Sequence, residues 1–168
     1  IVMALSVCFL GVTTYFAKQQ EEVVLKGVES AAESVAEGIS AQFFERYGDV
    51  QAFAVNPDLQ SPNKTVISEA LNNYAILYAI YDLIIVADTH GNIVATNTKS
   101  PAGKDINSQA LYGRNVSETS WFKNAIAGHF TEDKEKGFSG TYVEDVQVDA
   151  MVSEIYGEKR PGNSFSAQ

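Results

Sequence analysis

Apolar residues recur every three or four positions from Val24 through Val28, Ala31, Val35, Ile39, Phe43, Tyr47 and Val50 to Ala54. Glu21, Glu22, Glu29, Glu33, Glu37 and Glu45 fall on other faces. This period predicts a single helix over 18–56, roughly 60 Å long at about 1.5 Å per residue. It ends at Asn56-Pro57, because a residue preceding Pro is disfavoured in the α region. Its first half, rich in Ala and Ser, suits close helix–helix contact. Its second half, FFERYGDVQAFAV, suits the back of a sheet.

Upstream, IVMALSVCFLGVTTYFA (1–17) carries no charge. A spanning helix needs about 20 apolar residues, so the run reads as most of a membrane anchor, with Tyr15, Phe16 and Lys18 as its interfacial edge. A cleaved signal peptide is disfavoured, because no small-x-small site follows the run. A buried core helix is the other alternative. The lone Cys8 lies inside the run, which rules out an intramolecular disulfide. The chain opens within this run and stops within a strand-like pattern, so a fragment of a longer protein is expected.

Downstream of the loop PDLQSPNK (57–64), residues 65–80 predict a second helix capped by Thr65, with Ile67, Ala70, Leu71, Tyr74, Leu77 and Tyr78 on its apolar side. YDLIIVADTHGNIVATN (81–97) reads as a β-hairpin turning at Gly91-Asn92. Its first strand is nearly continuous apolar, as for a strand covered on both faces. A loop (98–109) leads to a helix starting near Ser117, with Trp121, Phe122, Ala125 and Ile126 on one side. Residues 138–156 alternate like one long strand, 157–163 like a turn, and SFSAQ opens another strand. Together these predict an antiparallel sheet with the long helix on one face and a pocket under the 98–130 insertion on the other.

Composition narrows the function. A net charge of −9 with no Lys/Arg cluster argues against nucleic acid as a partner. There is no P-loop and no Gly-x-Ser-x-Gly elbow, and the acidic groups lack calcium-loop spacing. Two histidines and one cysteine do not make a metal site. No enzymatic activity and no cofactor are expected.

The ordered features, namely the hairpin, GKDIN (103–107), SETSWFKNAIAG (117–128), FSGTYVEDVQVDAMV (138–152) and SFSAQ, resemble the extracytoplasmic Cache sensor domains of bacterial transmembrane receptors. Methyl-accepting chemotaxis receptors are the commonest owners, and sensor histidine kinases and diguanylate cyclases share the module. The resemblance implies an α+β fold in which a long N-terminal helix, continuing from the membrane anchor as a stalk, packs on a PAS-like antiparallel sheet with a helical insertion. The expected divisions are an anchor at 1–17, a stalk and backing helix at 18–56 and a ligand-binding module at 57–168. The sensor domain would lie outside the cell membrane.

In family members that bind amino acids, an aromatic pair on the insertion helix and a Tyr-x-Asp on the next strand line the pocket. An Arg two residues before the Trp clamps the ligand carboxylate. Here Trp121-Phe122 matches the pair and Tyr142-Val-Glu144 matches the Tyr-x-acid loosely. Thr119 stands at the Arg position, so Arg114 or Lys123 would have to substitute. Trp121 and Tyr142 suit an apolar or cation-binding wall, and Glu144 an acceptor for an ammonium group. Alternatively, Trp121 and Phe122 simply anchor their helix.

The resemblance thus implies a receptor for an amine, a carboxylate or an amino-acid-like molecule. It would bind at Trp121, Tyr142, Glu144, Arg114 and Phe122, dimerise through the long helix and signal by a shift of that helix. A pilin-like structural protein is the competing class, disfavoured because no Glu occurs within 1–17.

Overall fold

The computed structural model describes residues 12–135 and 137–168, and in it the chain is a mixed α/β protein. Helix α1 (Val2–Ala54) carries the predicted period without a break. The chain divides into two compact units at Glu45/Arg46, inside this helix.

In the first unit, residues 12–45 are exposed throughout. The apolar stripe is included, with Val24, Val28, Val35 and Ile39 each between 53% and 63% exposed. Most of the expected 1–17 anchor lies outside the described residues. Among the described residues, no helix is long and apolar enough to cross a membrane.

The second unit begins with the last turns of α1. Of the aromatic half expected to back a sheet, Phe43 and Phe44 remain exposed, whereas Tyr47 and Phe53 are buried. Phe53 stacks on Tyr74, with ring centroids 4.0 Å apart, and meets Tyr78 and Tyr81 edge-on. Beside it, Asp49 accepts hydrogen bonds from the Tyr81 hydroxyl (2.6 Å) and from Arg46 Nε (2.9 Å).

Asn56 closes α1 and opens a 3-10 turn at Pro57–Gln60, its side-chain oxygen accepting from the Asp58 N–H. Asn63, rather than Thr65, caps α2 (Lys64–Tyr78): its side-chain oxygen accepts from the Thr65 N–H at 3.0 Å. Ile67, Leu71 and Ala75 form the buried stripe of α2, while Leu77, assigned to that stripe from sequence, is 77% exposed.

The hairpin forms as predicted in kind but is shorter. Strand β1 (Ile85–Ala87) pairs antiparallel with β2 (Ile93–Thr96), with an irregularity between Val86 and Ala87. Both faces of its first strand are covered, by different clusters. Ile84 and Val86 pack against Phe53, Leu59, Ile67, Leu71 and Ala95. Leu83, Ile85 and Ala87 pack against Ile93, Leu111 and Val116. Full burial of each such Leu, Ile or Phe side chain is worth about 1.5–3 kcal/mol.

Polar side chains finish the hairpin. Asn97, fully buried, accepts from the Ile84 N–H (2.7 Å) and donates to the carbonyls of Asp82 (3.2 Å) and Lys99 (2.9 Å). Its side chain thus reinforces the end of the ladder, where the Asn97 N–H also donates to the Ile84 carbonyl (3.3 Å). Asn72 of α2 does the same for Thr98 and Lys99, accepting from both backbone N–H groups at 2.7 and 2.9 Å.

Two expectations are corrected. The single sheet resolves, among the described residues, into three two-stranded pairs: β1–β2, β3 (Tyr142–Val143) with β6 (Phe165–Ser166), and β4 (Gln147–Val148) with β5 (Pro161–Gly162). The long strand over 138–156 is instead β3, β4 and a helix, α4 (Ala150–Tyr156). The physical reason is local: the Asp149 carboxylate caps the Val152 N–H (2.9 Å), and Gly157 ends the helix in the left-handed region at φ +70°.

Candidate functional site

The predicted site residues lie on three stretches of chain, bearing Arg114, Trp121 with Phe122, and Tyr142 with Glu144; of these, Trp121 and Phe122 pack on the second apolar cluster. The hairpin turn positions the first. Asp88 accepts from the His90 and Asn92 N–H groups, both at 2.9 Å, which shapes the turn, and Gly91 supplies its positive φ of +82°. Hydrogen bonds to Asn92 hold the Asp88 carboxyl below the usual carboxylate range. The chain then returns alongside β2: the Ile93 N–H donates to Arg114 O (2.8 Å), Gly113 N–H to Ile93 O (2.9 Å) and Val116 N–H to Gly91 O (2.7 Å). A third, irregular strand-like segment thus carries Arg114 along the hairpin and delivers the chain to the next helix.

That helix is α3 (Ser120–Ala127), closed by Gly128 in the left-handed region. Trp121 and Phe122 are half-buried at its start, edge to face with centroids 6.0 Å apart. Both pack on the Ile93, Leu111 and Val116 cluster, where Tyr112, Met151 and Ile155 also pack.

The third stretch is β3, bearing Tyr142 and leading directly to Glu144. Tyr142 is half-buried and pairs with Ser166 of β6. Glu144 ties this stretch to α3 and to the segment before β6. Its carboxylate accepts from the Ser120 hydroxyl at the head of α3, from the Ser164 hydroxyl (2.6 Å) and from Gln147 Nε2 (3.1 Å). Its backbone N–H donates to Ser164 O (2.9 Å), and its carbonyl accepts from Asn163 Nδ2 (3.0 Å). Ser166 Oγ reaches the Trp121 carbonyl (3.2 Å). Trp121, Phe122, Tyr142 and Glu144 therefore belong to one assembly of α3, β3 and β6.

Arg114 is exposed and placed otherwise. Its guanidinium forks onto Glu154 of α4, Nη1 to Oε2 at 2.7 Å and Nη2 to Oε1 at 2.5 Å. This pairing raises the guanidinium's affinity for its proton and holds the Glu154 carboxyl below its ordinary range. Lys123, the other candidate cation, pairs with Glu118 (2.8 Å).

Several groups at the site were not singled out from sequence. Ser120 and Ser164 orient Glu144, and Glu154 occupies Arg114. Asp82 receives Arg160 Nη1 (2.7 Å) on its carboxylate and the Tyr156 hydroxyl (3.0 Å) on its carbonyl, while the Arg160 guanidinium lies 4.0 Å from the Tyr156 ring centre. Burial, and then the Asp82 charge, push the Tyr156 hydroxyl up to about 12. The signal that finds α4 is Asp149 followed eight residues later by Gly157, a cap and a stop around about two helical turns.

The arrangement offers an aromatic pair over an apolar floor, a hydrogen-bonded carboxylate and a guanidinium bound to an internal carboxylate. Both charged groups are engaged by side chains of the chain itself, Glu144 by Ser120, Ser164 and Gln147 and Arg114 by Glu154. No group of three or more metal-ligating side chains occurs among the described residues. Compared with protein-family models, with curated proteins and with solved structures, the chain matches none.

Proposed function

We propose that this chain is the extracytoplasmic small-molecule sensing region of a bacterial transmembrane receptor, with a PAS-like module of the Cache type. The observation that carries the reading is the convergence of Trp121 and Phe122 on α3 with Tyr142 and Glu144 at β3, tied together through Ser120 and Ser164. These are residues that the resemblance assigns to the ligand, and they come from segments 20 residues apart in sequence, as Trp121 and Phe122 do from Tyr142. Chemotaxis receptors are the favoured owners, and a histidine kinase or diguanylate cyclase would use the same module.

In this reading residues 1–17 anchor the chain in the cell membrane, and two copies pair through α1. The uncovered stripe Val24, Val28, Ala31, Val35 and Ile39 supports the pairing, because Glu29, Glu33 and Glu37 lie on the opposite face. Signalling is a population shift, which requires the ligand to favour one of two states.

The test is a thermal-shift screen of the chain against amino acids, amines and small carboxylates. The expected result is a saturable rise in melting temperature with one class, lost in Trp121→Ala and Tyr142→Ala while circular dichroism shows both still folded. The absence of any response from the folded chain would refute the reading.

A further inference from the structure

Residues 145–163 form a strap. Its root is the β3–β6 pair, its shaft is the two-residue β4–β5 pair, and its tip is α4. The shaft residues Gln147, Val148, Pro161 and Gly162 are all exposed, and no residue of α4 is buried.

Two kinds of contact hold the tip down. Met151 and Ile155, one turn apart, rest on the apolar cluster that also receives Trp121, Phe122 and Tyr112. Between them Glu154 takes the Arg114 fork, and at the end of the tip Tyr156 and Arg160 engage Asp82. These fastenings are partly solvated ion pairs, which are weak and screened by salt. A helix of seven residues has little stability of its own. The strap is therefore held by contacts that can be exchanged without opening the rest of the cluster.

The geometry of the fork carries the chemistry. A guanidinium offers two parallel N–H donors matched to a carboxylate, and Glu154 presents both of its oxygens to them. We propose, resting on the sensing reading above, that the strap is a lid over the Trp121 face. Glu154 is then an internal stand-in for ligand, and a small carboxylate is admitted by displacing Glu154 from Arg114. A carboxylate competes for the fork like for like. A neutral isostere, such as an amide, does not.

The test uses the whole chain and the two probes acetate and acetamide. Trp121 is the sole tryptophan, so acrylamide quenching of its fluorescence reports the covering of its face. Hydrogen exchange at the amides of 150–156 reports α4.

Without ligand, Glu154→Gln should raise both signals, with roughly a fivefold gain in α4 opening, as expected for loss of a surface ion pair at the upper end of its range. Arg114→Gln should loosen the strap equally. The variants then part: Glu154→Gln binds acetate several-fold more tightly than the unaltered chain, Arg114→Gln loses the acetate response, and acetamide acts on none of them.

Unchanged exchange and quenching in Glu154→Gln would overturn the lid. Equal acetate responses in the two variants would overturn the competition. If the screen instead finds a ligand whose binding ignores Arg114→Gln, this inference fails and the sensing reading stands. The strap measurements need no ligand, so a screen without hits leaves them to be judged separately.

Discussion

Replacing Gly91 with Ala tests whether the hairpin turn is what sets α3 in place. Gly91 is buried at φ +82°, and a Cβ built there would stand 2.6 Å from the Ser117 nitrogen and 2.9 Å from its Cα. Both are backbone atoms, which cannot swing aside. The left-handed conformation alone costs an alanine about 1–2 kcal/mol. Moving Ser117 away also lengthens the 2.7 Å bond from the Val116 N–H to the Gly91 carbonyl. That bond is worth about 1–1.5 kcal/mol.

The expected loss is therefore about 2–4 kcal/mol. Gly103 is the control: its φ is +73°, but no atom lies within 4 Å of the added Cβ, so Gly103→Ala carries the conformational term alone. Urea unfolding followed by Trp121 fluorescence reads both variants. At a slope of about 1–1.5 kcal/mol per molar urea, the midpoint should fall by about 2 M for Gly91→Ala and about 1 M for Gly103→Ala. Equal shifts would show that the turn does not press on the start of α3, and would refute the argument.

Two further outcomes follow from buried polar groups. Asn97→Ala removes three hydrogen bonds and leaves the Ile84 N–H and the Asp82 and Lys99 carbonyls without them. The cost is about 3–5 kcal/mol, or about 10–20 °C in a unit of this size, and a fall below 5 °C in a calorimetric scan would contradict it. Tyr81 and Tyr156 both hold their protons beyond the ordinary tyrosine value, Tyr81 through burial and then the Asp49 contact. The folded form therefore keeps protons that the unfolded chain releases, so stability is full below about pH 10 and declines as pH rises above it. Tyrosinate absorbance should show a late-titrating component, and Tyr81→Phe should reduce it and flatten the decline.

How far the sequence revealed these features depended on the length of each periodic signal. Helices α1 and α2 repeat over many turns, and the hairpin carries a glycine where the turn needs one, so all three were legible. Strands of two residues have no period to detect. The alternation of Val143, Asp145, Gln147 and Asp149 resembled a strand because the stretch was read as continuous, whereas Asp149 and Gly157 were a cap and a stop for α4. Trp121, Phe122, Tyr142 and Glu144 were visible as residue types and do converge. Their supports were not visible, because Ser120 and Ser164 are common residues that acquire meaning only when 24 and 20 residues of chain bring them onto Glu144. Arg114 is legible as a cation, but its partner lies 40 residues on, in a segment whose alternation imitates a strand.

Strand β1 is a party wall. Val86 and Ile85 are neighbours in sequence, yet one answers to the cluster built around Phe53 at the end of α1 and the other to the cluster beneath Trp121 and the strap. A wall one strand thick has no interior of its own in which to absorb a change of volume. Atoms removed from one side free the strand to lean that way, and the other side must follow. The two clusters therefore do not hold separate reserves of stability, and substitutions on opposite faces of β1 cannot be summed as though made in different proteins.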